Sequence, residues 1–92
     1  MNGFSLPSQL THTGASACCA QFGQWLEQGS GPARIDLSGL TQFDSSALAV
    51  LLDCKRQALA AGRSLEPSGW PDRLQELARL YGVLAWLDPT HP

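Results

Sequence analysis

A-R-I-D-L-S-G-L-T-Q-F-D-S-S-A-L-A-V-L-L, residues 33–52, decides the fold. Its first five residues alternate: Ile35 and Leu37 share one face, Arg34 and Asp36 the other. That is the period of a strand. No proline interrupts it, so its N–H groups can pair on both sides and it can be the central strand. Asp44 then offers a carboxylate to the orphan N–H groups of a helix start. The pattern predicts a helix over residues 45–61, stopped by Gly62. Residues 47–52 of that helix are apolar in every direction. A helix covered on one side should show a single apolar stripe. Either this start is enclosed by the sheet and its flanking helices, or one side meets a partner. In so small a domain full enclosure is difficult, which favours the partner.

Outward from this stretch, residues 4–10, F-S-L-P-S-Q-L, read as one strand, with Phe4, Leu6 and Leu10 facing a core. Pro7 confines that strand to an edge. Thr11 to Thr13 supply N-cap candidates for a helix to Glu27. Ala15, Cys18, Cys19, Phe22, Trp25 and Leu26 form its apolar face, and Gly29 is its stop. Residues 64–68, S-L-E-P-S, are a short strand that Pro67 again places at an edge. Pro71 suits the first turn of a further helix, on which Leu74, Leu77, Ala78 and Tyr81 recur at helical spacing before Gly82. Residues 83–87 allow one more helical turn. The order β-α-β-α-β-α predicts an α/β domain: a small, mostly parallel sheet of three to four strands, residues 33–37 central, with flanking helices.

Composition bounds the function. With 92 residues the chain holds one domain. Charged residues make up 15%, against about 25% in a typical globular domain; a surface so poor in charge suggests that part of it is covered by another molecule. The net charge is −2 and the six Lys and Arg are scattered, which argues against nucleic acid as a partner. No apolar run reaches membrane-spanning length, and Met1-Asn2-Gly3 does not open a signal peptide. A cytoplasmic location is therefore expected. Cys18, Cys19 and Cys54 are expected to be reduced, as an odd set with no metal-ligand spacing. His12 and His91 stand apart from any base, nucleophile or ligand. The chain has no glycine-rich phosphate loop, no nucleophile elbow and no catalytic carboxylate pair. No enzyme activity, cofactor or metal is expected.

The segment from Ile35 to Leu52 resembles the core of the STAS domain family: a strand ending in D-L-S, a short loop, then an apolar residue followed by D-S-S-A-L at a helix start. The stretch L-Q-E-L-A-R-L-Y-G-V, Leu74 to Val83, is similar to the branch formed by the small STAS subunit of the bacterial Mla phospholipid ABC transporter. Anti-sigma-factor antagonists are the second branch. Two departures stand out: one strand, where the family carries two, precedes the first helix, and Ala47 occupies a position where the antagonists usually have glycine.

The resemblance implies a non-catalytic domain that docks on the transporter's cytoplasmic ATPase and stabilises or regulates it. It would then sit at the inner face of the inner membrane through that partner. In the antagonists the first serine after this aspartate is phosphorylated by a serine kinase, a role that falls on Ser45. The expected partner surface comprises Asp44, Ser45, Ser46 and Leu48, with Trp70 and Tyr81 as aromatic anchors. A bare D-S-S capping sequence, and a Trp70 folded onto its own core, are the plain alternatives. A strand missing from the family set would leave an edge open to pairing with a second copy.

Overall fold

The computed structural model describes residues 3–89. Five strands and four helices follow in order. They are β1 (Gly3–Ser5), β2 (Gln9–Leu10), α1 (Ala15–Leu26), β3 (Ala33–Asp36), β4 (Gln42–Phe43), α2 (Ser46–Ala60), β5 (Leu65–Ser68), α3 (Asp72–Leu80) and α4 (Leu84–Leu87). The main sheet has the order β1-β3-β5, all parallel, with β3 in the centre. β3 is central because Ala33 and Ile35 can be buried on one face while every backbone N–H stays free to pair. Pro67 lies in β5, an outer strand, as its missing N–H requires.

The N-terminal segment departs from the sequence expectation. Residues 4–10 are not one strand, and no strand is missing before α1. Pro7 and Ser8 break the segment into β1, which pairs with β3, and β2, which pairs in parallel with β4 in a separate two-stranded sheet. A proline between Leu6 and the β2 residues ends one ladder and re-aims the chain toward another. Helix α1 also begins differently. A 3₁₀ turn, His12–Gly14, precedes it, and neither Thr11 nor Gly14 makes a side-chain cap.

One continuous core lies between the sheet and the helices, built from Leu6, Phe22, Ile35, Leu37, Leu51, Cys54, Leu74 and Leu87 among others. Phe4, Phe22 and Trp25 pack edge-on or tilted with ring centroids 5.3–5.8 Å apart, which ties β1 to α1. Gln57 of α2 donates to the Cys19 carbonyl at 3.2 Å and to Asp53 at 2.8 Å, locking α2 to α1. The start of α2 is enclosed by this core: Ala47, Leu48, Val50 and Leu51 are all buried, and Ala49 alone of residues 47–51 is exposed. The all-round apolar turn needs no partner to explain it. Sheet and flanking helices together enclose it even in so short a chain. The three cysteines are free thiols, as expected of small apolar fillers.

Candidate functional site

β3 delivers its chain to the site in three short steps. Its last carboxylate, Asp36, accepts the Ser38 N–H at 2.9 Å and starts a turn closed by the Leu40 N–H on the Leu37 carbonyl. Ser8 then receives the Thr41 and Gln42 N–H groups and the Thr41 hydroxyl on its carbonyl, at 2.8–3.1 Å. This clamp seats β4 beside β2 at the C-terminal end of the main sheet. Gly69 faces the same turn from the end of β5. Its φ of +73° suits glycine, and a Cβ there would sit 2.9 Å from Ser38 Cβ and 3.0 Å from Ser38 N.

Asp44 follows directly. Its Oδ1 accepts the Ser46 N–H at 2.8 Å, and its carbonyl accepts the Ala47 N–H at 3.0 Å. The cap expected from sequence is made one residue ahead of Ser45. The Ser46 backbone hydrogen bond, with smaller contributions from Ser46 Oγ and the His12 main chain, holds the Asp44 carboxyl below its usual range. Asp44 and Ser45 are exposed and Ser46 is half-buried. Ser45 uses its carbonyl to accept the Leu48 and Ala49 N–H groups, while its side chain makes no cap hydrogen bond. The positive end of the α2 dipole therefore opens to solvent beside an anionic carboxylate and a free hydroxyl.

Of the other residues expected here, Leu48 is the clear correction. It is 2% exposed, in the core, and cannot contribute to a docking surface. Its place one turn into α2 turns its side chain inward, with Ala47 and Leu51. Trp70 follows β5 and so lies at the same end of the sheet as Asp44. It is half-buried against the core, and its indole N–H donates to Asp88 at 3.0 Å. Its polar handle is thus taken inside the domain. Tyr81 is exposed at 58%, but it sits past the C-terminal end of α3, about 13 Å along the axis from that helix's first turn. Its chain neighbour Leu80 is exposed as well. Trp25 packs on the apolar face of α1 as expected. Trp86 is 55% exposed, with the Lys55 ammonium 4.9 Å over its ring.

Sequence reasoning missed Phe43 and Arg73. Phe43 of β4 is half-buried, and the Arg73 guanidinium lies 5.7 Å over its ring. This contact sets an exposed cation next to the Asp44–Ser46 turn. The apolar residue before D-S-S was visible, but nothing in the sequence linked it to position 73. Among the described residues no three His, Cys, Asp or Glu side chains gather to hold a metal. No helix among them is long and apolar enough to cross a membrane.

A parallel three-stranded sheet with a helix start presenting an Asp-Ser-Ser turn, its first two residues exposed, defines a small α/β domain of STAS type. A family model described as the Mlab STAS domain matches residues 4–87, and the chain belongs to that family. The family is generally non-catalytic. No curated protein matches the chain.

Proposed function

We propose that this protein docks on the cytoplasmic ATPase of an Mla-type phospholipid ABC transporter and stabilises or regulates it, with the start of α2 as the contact. The family match over residues 4–87, joined to the exposure of Asp44 and Ser45, supports this reading. Short side chains at a helix N-terminus let a partner backbone approach closely, and the dipole favours an acceptor group there. Arg73, over Phe43, adds a donor beside the turn. The second reading, an anti-sigma-factor antagonist switched at Ser45, draws on the exposed Ser45 side chain that no cap hydrogen bond engages. A phosphate there gains from the helix dipole, but the Asp44 carboxylate beside it opposes the added charge of about −2.

Affinity purification of the chain from its native cells separates the two. Recovery of an ABC ATPase with its permease supports docking on a transporter. Recovery of a serine kinase of the anti-sigma type supports the second reading, and recovery of neither overturns both.

A further inference from the structure

The opposite end of the sheet, where the strands begin, carries a second feature. Between the end of α1 and the start of β3 lies a cavity of about 370 Å³, with Trp25, Gly29, Ser30, Arg34 and Arg63 in its wall. We propose that this cavity is a binding site for a phosphate monoester dianion.

Arg63 is the built part of the site. It is only 9% exposed. Its Nε donates to the Gly31 carbonyl at 2.7 Å and its Nη1 to the Leu26 carbonyl at 2.7 Å. Trp25 lies under the guanidinium, 5.3 Å from ring centroid to Cζ. Those three contacts fix the fork, so it loses little freedom on meeting a ligand. Its Nη2 is left over and faces Gly29, where an added Cβ would stand 3.5 Å away. Gly29 is not among the glycines with positive φ, so its backbone does not demand glycine. The missing side chain instead leaves the guanidinium open to the cavity.

The second cation is Arg34, on the outer face of β3. Its only ion pair among the described residues is with Glu66, at 3.5 Å, with both side chains about half exposed or more. Such a surface pair is weak and readily exchanged. No carboxylate belongs to the described wall of the cavity. Arg63 Nη2 and the Arg34 guanidinium, once it exchanges Glu66 for the ligand, match a dianion in charge and in donor chemistry. The C-terminal carbonyls of α1 would oppose an anion here, but Arg63 covers the Leu26 carbonyl. The Ser30 hydroxyl supplies a further donor.

The test is a titration of the full chain with inorganic phosphate at pH 8 and constant ionic strength, followed by amide and indole NMR shifts. Saturable shifts of Gly29, Ser30 and the Trp25 indole N–H in the millimolar range are expected. Arg34→Gln should weaken binding about tenfold, and Gly29→Leu should abolish it by covering Arg63. Both should melt near wild type, because Arg34 is exposed and a Cβ at Gly29 makes ordinary contacts. Flotation with vesicles containing phosphatidic acid separates the two sources of this headgroup. Arg34-dependent recovery with vesicles assigns a lipid, and phosphate binding without flotation assigns a soluble ester. Shifts that fail to saturate, or that survive unchanged in both variants, overturn the site.

Discussion

Leu48→Ala separates a core helix start from a partner-facing one. Leu48 is 2% exposed and belongs to the cluster that includes Ala47, Leu51 and Ile35. Removing three carbons from such a place costs the lost transfer free energy plus a cavity term, about 2–5 kcal/mol in all. A domain of this size has a total stability on the order of 5–15 kcal/mol, so such a loss is a large part of it. At about 3 kcal/mol the melting temperature should fall by roughly 12–24 °C. Leu48→Met, which keeps the volume, should lose less than about 1.5 kcal/mol. Ser45→Arg, three residues earlier but exposed, should stay within about 0.5 kcal/mol of wild type. Urea unfolding monitored by circular dichroism reads all three, with an unchanged m-value confirming that midpoints report stability. A loss below about 1 kcal/mol for Leu48→Ala would refute the enclosed core, and with it the argument that the apolar turn needs no partner.

Gly69→Ala should destabilise by about 1–3 kcal/mol from its positive φ alone, and the short approach to Ser38 backbone should move amide signals around residues 36–40; a wild-type melt would contradict the close approach. Burial raises the Asp53 carboxyl, but hydrogen bonds from Arg56, Gln57 and Cys19 more than offset it and leave the group below its ordinary value. A depressed folded-state value means that this group's stabilisation is full above the unfolded value, near pH 4, and is lost as pH falls through the folded one. Asp53→Asn should therefore flatten the acid limb of a stability–pH curve, and an unchanged limb would refute the contact. Burial, with smaller contributions from Asp53 and Cys18, pushes the Cys19 thiol up to about 11, and burial raises Cys18 and Cys54 as well. At pH 8 thiolate is then scarce, so thiol-disulfide reagents should label the native chain slowly and all three cysteines at once in denaturant. Rapid labelling of folded Cys54 would contradict its burial.

Much of the fold could be read in advance because its determinants are local. Alternation at Ile35 and Leu37, the cap at Asp44, and glycine stops at 62 and 82 act within a few residues of each other. The placement of Pro67 and the central position of β3 followed from backbone donors alone. The split of residues 4–10 was not legible, because β2 exists only where β4 lies beside it and the Ser8 carbonyl gathers the chain. A two-residue strand has no pattern of its own. The site divides in the same way. Asp44, Ser45 and Ser46 lie in one local turn at the start of α2, within reach of a sequence pattern. Leu48 was misplaced because an all-round apolar helix looks the same whether its own sheet or a partner covers it. Arg73 over Phe43 and Arg63 on Leu26 are contacts across some thirty residues or more, which no spacing rule reaches.

Affinity of the purified Ser45→Arg chain for the purified transporter ATPase tests the central claim most directly. A bulky cation placed at a helix start that the docked ATPase covers should be left without a partner group, and losses at such centres are about 2 kcal/mol or more. That corresponds to roughly thirtyfold weaker binding, with a thermal melt indistinguishable from wild type. Wild-type affinity in a fully folded Ser45→Arg chain would contradict docking through the start of α2.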